Sequence, residues 1–280
     1  MPLSINTNIA SMTAQRSFMN SNAALETAFE RLSTGKRVNS SVDDAAGLAI
    51  GKDLESRVRG LNQAIRNVND GISIIQIAEG ALDEGTTLLQ RMRDLAVQAS
   101  NDSLSSTERA YLETESDKLI AAFDDLSTAA KWNGSSVFTA TAFVFQTGAD
   151  AADEVSVTIG VGTANDFLDN AGGGSSADTD VKLNGTQAEA QASITYIDQA
   201  LAEVAEKRAQ LGAEQAQLES TVRNLANVAE NTAAAAGRIM DTDYAAETAN
   251  LTKAQILQQA ATSILAQANA QPQSVLALLQ

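Results

Sequence analysis

The apolar residues of this chain recur in sevens. One stripe runs Leu54, Val58, Leu61, Ile65, Val68, Ile72, Ile75, Leu82, Leu89, stepping by four and three and broken only at Glu79 and Thr86. At 1.5 Å per residue it predicts a helix about 50–60 Å long. A second stripe is Ile194, Ile197, Leu201, Val204, Leu211, Leu218, Val222, Leu225, Ala229, with Arg208 and Gln215 as polar insertions. A shorter one carries Leu112, Leu119, Phe123 and Leu126. A repeat of about 3.5 residues winds helices around one another with a left hand. The pattern therefore predicts a mainly α chain in which three long helices bundle as a coiled-coil rod.

The two ends carry thinner versions of the same pattern. Ile5, Ile9, Met12 and Met19 fit one frame, and Leu25, Phe29 and Leu32 fit another shifted by one residue. Near the C-terminus Ala254, Leu257, Ala261, Ile264 and Ala268 step by three and four, with Leu265 beside them. Helices with such Ala-rich stripes are marginal alone, so they need partners: each other, and copies from neighbouring molecules. Ile5, Ile9, Met12, Leu25, Phe29, Leu32, Leu257, Ala261, Ile264 and Leu265 are the candidate self-association seams.

Between the long stripes the character changes once. Ala142-Phe143-Val144-Phe145-Gln146 and Val155-Ser156-Val157-Thr158-Ile159 alternate and are β-branched or aromatic, predicting one β-hairpin, with Asn133-Gly134 as the turn before it. Residues 172–178, Gly-, Ser- and Ala-rich, predict an exposed flexible loop. Gly35 is the expected stop of the first helix, and Ser41 with Asp44 the expected capping box of the next.

Composition narrows the function. Aromatic residues are 4% of the chain and prolines number two, so the 44% hydrophobic content is mostly the aliphatic vocabulary of helices. Nineteen basic against thirty-five acidic residues leave a net charge of −16, which repels nucleic-acid backbones and anionic lipid. Histidine and cysteine are absent, which excludes disulfides, thiol nucleophiles, His-based triads and Cys/His metal sites. The acidic pairs Asp43-Asp44, Asp124-Asp125 and Asp153-Glu154 lack the ligand spacing of a calcium loop, and Gly172-Gly173-Gly174 lacks the Lys of a phosphate loop. No catalytic, metal or cofactor site is expected. No apolar run reaches the roughly 20 residues that span a bilayer, and the N-terminus has neither the cationic nor the apolar region of a cleaved signal peptide.

Several long words then carry a resemblance. Leu32-Ser33-Thr34-Gly35-Lys36-Arg37-Val38-Asn39-Ser40 followed by Asp43-Asp44-Ala45-Ala46-Gly47-Leu48-Ala49-Ile50 resembles the N-terminal signature of bacterial flagellins. Arg238-Ile239-Met240-Asp241-Thr242-Asp243-Tyr244-Ala245, Lys253-Ala254-Gln255-Ile256-Leu257-Gln258-Gln259-Ala260 and the tail through Pro272 to Leu276 resemble the C-terminal one. Phe145-Gln146-Thr147-Gly148-Ala149 resembles the hairpin strand of that family, and the likeness covers about residues 1–160 and 187–280.

The resemblance implies an inner coiled-coil domain of residues 1–43 and 240–280, a helical rod domain with a hairpin of 44–160 and 187–239, and a short variable loop of 161–186 in place of large outer domains. It implies a self-assembling filament subunit used for swimming, exported unfolded by a type III route and located outside the cell. The partners implied are further copies, an export chaperone at the C-terminal segment, and hook-associated and cap proteins. Gln90, Arg91, Leu95 and Gln98, with Glu115 opposite, resemble the stretch of flagellin read by the host Toll-like receptor 5; Arg91 and Leu95 are expected to share an outward face. Ser135, Ser136, Thr139, Thr141, Ser175 and Ser176 lie where flagellins are sometimes O-glycosylated. The rivals are a hook–filament junction protein, which shares helical termini, and a secreted coiled-coil effector or adhesin, which would form a closed soluble oligomer.

Overall fold

The computed structural model describes residues 7–160, 167 and 181–277. Among these, five helices and four short strands follow one another: α1 (Ile9–Thr34), α2 (Ala45–Ala99), α3 (Ser106–Ala129), β1 (Lys131–Trp132), β2 (Ser135–Ser136), β3 (Phe143–Gln146), β4 (Glu154–Val157), α4 (Gln187–Met240) and α5 (Tyr244–Ala277). Helices α2 and α4 have 55 and 54 residues, about 80 Å each at 1.5 Å per residue. They outrun the expected length because helix-forming residues continue past the last heptad positions, up to Ala99 in α2. The chain divides into two compact units, Met1–Val58 with Glu230–Gln280, and Arg59–Ala229. The division thus falls inside α2 and α4 rather than at their ends.

In the central unit the predicted stripes form the core. Leu61, Val68, Ile75, Leu82 and Leu89 of α2 are buried with Ile197, Val204, Leu211 and Leu218 of α4 and Phe123 of α3. Helices α2 and α4 run antiparallel: Arg93 Nε donates to Asp198 at 2.6 Å, and Arg208 Nε donates to Glu79 at 2.8 Å. Arg208 also lies 3.0 Å from Asp83. The polar break in one stripe thus meets a polar break in the other. These pairs are about one-third or more exposed, so each contributes at most about 1 kcal/mol; their larger effect is on register. Of the other two breaks, Thr86 turns its hydroxyl back to Leu82 O at 2.7 Å, and Gln215 reaches Glu219 on its own helix.

The structure corrects the expectation of a single hairpin. β3 and β4 pair antiparallel as predicted, with Phe143 opposite Val157 and Gln146 opposite Glu154. Asn67 of α2 ties this hairpin down by donating to Gln146 O at 3.2 Å. A second, two-residue pair joins Lys131 to Ser136 and Trp132 to Ser135. Asn133 and Gly134, with φ of 49° and 85°, are the turn inside that pair, the geometry for which Asn-Gly is favoured. Each strand there is too short to show alternation.

Helix α3 holds the chain where it returns to α4. The buried Arg109 guanidinium donates to Ala99 O, Asn101 O and Gly185 O at 3.1–3.3 Å. One turn later Glu113 accepts from the backbone N–H of Leu183 at 2.9 Å and from that of Asn184. Reciprocal capping boxes start α3 (Ser105 with Glu108) and α4 (Thr186 with Glu189). The backbone N–H of Ser105 and of Thr186, ahead of their hydroxyls, hold the Glu108 and Glu189 carboxyls below the usual range.

In the terminal unit, Gly35 ends α1 at φ 71°, with its N–H on Arg31 O. The connectors on either side are clipped together: Arg37 N donates to Met240 O at 2.6 Å and Thr242 N to Gly35 O at 3.0 Å. The expected Ser41–Asp44 box is not formed. Asp44 itself caps α2, accepting from Gly47 N at 2.9 Å, while Asp43 collects Asn39 N, Ser40 N and the Ser40 hydroxyl. The aspartate immediately before the helix, three residues nearer than Ser41, takes the first free N–H groups.

Two outcomes follow from these contacts. Gly80 sits mid-helix with open space where a Cβ would be, whereas a Cβ on Gly85 would lie 2.6 Å from the Phe123 ring. Gly80→Ala is expected to raise stability by about 0.5–1 kcal/mol through helix propensity, and Gly85→Ala to lower it because overpacking of about 1–3 kcal/mol exceeds that gain, both read by urea unfolding. The N–H of Ser40, then its hydroxyl, then the N–H of Asn39 depress the Asp43 pKa. The ordering it provides is therefore intact above the ordinary carboxylate value of about 4 and is lost as pH falls through the depressed folded value. Protection of the Ser40 amide, corrected for intrinsic exchange, should drop in that window, and Asp43→Asn should lower it at all pH.

Candidate self-assembly surface

Helices α1 and α5 pair antiparallel along most of their length. Asn8 Nδ2 donates to Ala268 O at 2.8 Å at one end, Gln258 Nε2 to Asn22 at 3.0 Å in the middle, and Arg31 lies 3.9 Å from Glu247 at the other. The inward positions of α1 are Ser11, Ala14, Phe18, Ser21, Leu25, Ala28 and Leu32, a strict alternation of three and four. Those of α5 are Glu247, Leu251, Ala254, Gln258, Ala261, Leu265 and Ala268. Half of these side chains are alanine or serine, and the fully buried apolar ones are all alanine, whereas Phe18, Leu25, Leu32, Leu251 and Leu265 are only half-buried, so the closest contact between the helices buries little apolar area.

Seven other large apolar side chains face away from the seam. Ile9, Met12, Met19 and Phe29 of α1 and Ile256, Leu257 and Ile264 of α5 are about half exposed or more, Met19 reaching 70% and Ile264 57%. On a helix with a 3.5-residue period, the four of α1 fall within about a third of the circumference, on the side away from the seam. Beside Leu257 a groove of about 500 Å³ runs between the helices, lined by Asn20, Ala24, Thr27, Arg31, Asn250 and Lys253. Two cations there stand out in so acidic a chain.

These positions separate the residues read as one seam. Leu25, Leu32, Ala261 and Leu265 face the α1–α5 partner, whereas Ile9, Met12, Phe29, Leu257 and Ile264 face outward; Ile5 lies outside the described residues. The stripe from Ala254 to Ala268 is therefore not single. Its buried alanines continue through Gln258 and Leu265, four residues on, and not through Leu257 and Ile264, three residues on. Ser11, Ser21, Glu247 and Gln258 occupy seam positions where hydrophobicity gives no signal.

The candidate receptor stretch also divides. Arg91 donates through Nε and Nη2 to Glu115 Oε1 at 3.0 and 2.6 Å, and Gln90, Gln98 and both ion-pair partners are exposed. Leu95 is 1% exposed and belongs to the core, which corrects the expectation that it shares an outward face with Arg91. The reason lies in its neighbours: Arg91 reaches α3 and Arg93 reaches α4. The face between them, Met92, Leu95, Ala96 and Ala99, is enclosed by both helices. Continuing the heptad from Leu89 to Met92, Ala96 and Ala99 would have exposed the error.

Of the candidate glycosylation positions, Ser135 and Thr141 are exposed, and Ser136 and Thr139 are half-buried with hydroxyls engaged in local turns; Ser175 and Ser176 lie outside the described residues. Among the described residues no group of three His, Cys, Asp or Glu side chains could hold a metal ion, and no helix is long and apolar enough to cross a membrane.

The family models agree with this geometry at both ends. The bacterial flagellin N-terminal helical region matches residues 5–142 and the bacterial flagellin C-terminal helical region matches residues 194–279. The chain is 41% identical over 279 residues to a flagellin of Halalkalibacterium halodurans and 38% identical over 289 residues to flagellin FlaB2 of Treponema pallidum, covering 99% of each chain in both cases. A putative flagellar hook-associated protein from Vibrio parahaemolyticus shares the fold, with a TM-score of 0.58 at 18% identity, over 71% of this chain and 100% of that one. The chain belongs to the bacterial flagellin family, a structural subunit of the flagellar filament and not an enzyme.

Proposed function

We propose that copies of this chain join into the filament through the outward apolar side chains of α1 and α5. The observation that carries this reading is that the fully buried apolar positions of the helix pair are all alanine, while seven large apolar side chains stand about half exposed or more. Burying a half-exposed Ile, Leu, Met or Phe side chain is worth roughly 1 kcal/mol. The seven such positions offer enough to offset the ordering cost of association and the repulsion between chains of net charge −16. Two different helix faces meeting in a heterologous contact whose rotation does not close propagate as a filament rather than a ring. A closed coiled-coil effector would instead leave few large apolar side chains outside its own seam.

The finer roles rest on the family likeness. The terminal unit serves as the inner, assembling domain and the central unit as the torque-bearing rod. The chain leaves the cell unfolded through the flagellar type III route, with an export chaperone on the α5 segment, and meets hook-associated and cap proteins at the filament ends. In the free monomer, Gln90, Arg91, Gln98 and Glu115 present the surface for Toll-like receptor 5, while Leu95 supports that surface from beneath.

Seeded growth tests the assembly surface. Ile264→Asp should cut elongation on sheared filaments at least tenfold with helicity unchanged, since a charge must be buried at every joint at a cost of a few kcal/mol. Ala261→Asp, placed in the α1–α5 seam, should lower the helicity of the monomer itself. Normal growth of the Ile264 variant would count against the outward face. For the receptor, Arg91→Ala should lower reporter potency about tenfold or more, the scale of a hot-spot truncation of about 2 kcal/mol. Leu95→Ala should first show as a loss of about 2–5 kcal/mol in unfolding.

A further inference from the structure

The chain has no cysteine, so its thioethers are the softest nucleophiles open to a two-electron oxidant. There are five methionines, and the structure sorts the four it describes into two kinds. Met92 and Met240 are 0% and 2% exposed, the latter packed against the backbone at Gly51. Met12 and Met19 are 62% and 70% exposed. They stand seven residues apart on α1, hence on one face, and that face carries the outward stripe with Ile9. Methionine suits such a stripe because its unbranched side chain adapts to an imperfect partner surface. The same sulfur makes the stripe convertible.

We propose that Met12 and Met19 form a reversible oxidation site that decides whether a chain can join a filament, an inference that rests on reading the outward α1 stripe as the assembly surface. With hydrogen peroxide as oxidant, the sulfur lone pair attacks one peroxide oxygen. An S–O bond forms, the O–O bond breaks, and after proton transfer the second oxygen leaves as water; the sulfur is oxidised by two electrons and the peroxide reduced. The sulfoxide is polar and an acceptor without a donor, so burying it against an apolar neighbour leaves it unpaired. Two of them, one heptad apart, place that penalty twice in the same contact. A dithiol-dependent methionine sulfoxide reductase returns each thioether, releasing water and leaving a disulfide on the reductant. Once the stripe is covered by a second copy, peroxide no longer reaches the sulfurs, so the site acts on the free chain and not on the finished filament.

The test combines peptide mapping with seeded growth. Monomer and filament are treated with dilute hydrogen peroxide, and sulfoxide is quantified at each methionine. In the monomer, Met12 and Met19 should oxidise at least tenfold faster than Met92 and Met240, and in the filament at least tenfold more slowly than in the monomer. Monomer oxidised at both positions should retain its helicity and elongate sheared filaments of untreated chain at least tenfold more slowly, with recovery after sulfoxide reductase. The Met12→Leu/Met19→Leu variant should elongate normally before and after the same treatment. Oxidised monomer elongating at the untreated rate, or the leucine variant losing growth equally, would overturn the switch. Equal oxidation in monomer and filament beside normal elongation of untreated chain would overturn it too, and leave assembly itself standing. Untreated chain that fails to elongate seeds would overturn the assembly surface and the switch with it.

Discussion

Two helices pack most closely where their facing side chains are small, and the α1–α5 pair meets that condition at its fully buried positions, which are alanines. Ala14 and Ala28 of α1 and Ala254, Ala261 and Ala268 of α5 are buried at the seam, and each contributes little apolar area. The pair is held by its length, by a few end-to-end hydrogen bonds such as Asn8 to Ala268 and Gln258 to Asn22, and by the clip between its connectors at Arg37–Met240 and Thr242–Gly35. Beyond this seam, Ile9, Met12, Met19, Phe29, Ile256, Leu257 and Ile264 remain on the outside. A terminal unit built this way is incomplete as a monomer, which is the physical requirement for a subunit that must polymerise.

The central unit solves the opposite problem. There Leu, Ile, Val and Phe fill the seams, and the core needs nothing from a neighbour. Long apolar stripes of equal period can slide by a heptad without losing contact area, so register needs another signal. The Glu79–Arg208–Asp83 cluster and the Arg93–Asp198 pair provide it. They are too exposed to add much stability, but a slip by one heptad separates Arg208 from Glu79 and Asp83 and sets it opposite Ile72 in one direction and Thr86 in the other. Arg109 and Glu113 fix the end of this unit by gripping backbone carbonyls and amides of the segment that leads into α4.

Much of this was legible in the chain itself. The heptad stripes from Leu54 and Ile194, the shorter stripe of α3, the β3–β4 pair and the Gly35 stop all follow from periodicity and turn chemistry. What was not legible has definite causes. The stop of α1 could be placed, but the cap of α2 could not, since Ser41, Asp43 and Asp44 all have capping chemistry and only geometry ranks them. The stripes of α1 and α5 do not separate into an intrachain seam and an outward face in the sequence, because the seam runs through Ser11, Ser21, Glu247 and Gln258, whose polarity hides it, while Ile9, Met12, Leu257 and Ile264 mark the unpaired side. Leu95 lies off the frame of Leu82 and Leu89 and is nevertheless buried, because α2 at that level is flanked by both α3 and α4. The Lys131–Ser136 pair is too short to carry any alternation, and Asn133-Gly134 marks a turn without saying which strands it joins.

The central claim is that an alanine-centred seam pairs the terminal helices within one chain and the large apolar residues left outside it pair them between chains. A helical reconstruction of the assembled filament, with side chains resolved, tests this most directly. The account predicts that Ala14, Ala28, Ala254 and Ala261 keep their partners within the same chain, and that Met12, Met19, Phe29, Leu257 and Ile264 lie within van der Waals contact of neighbouring subunits. A filament in which those five side chains remain in solvent, or in which the alanine seam opens to pair with another chain, would contradict it.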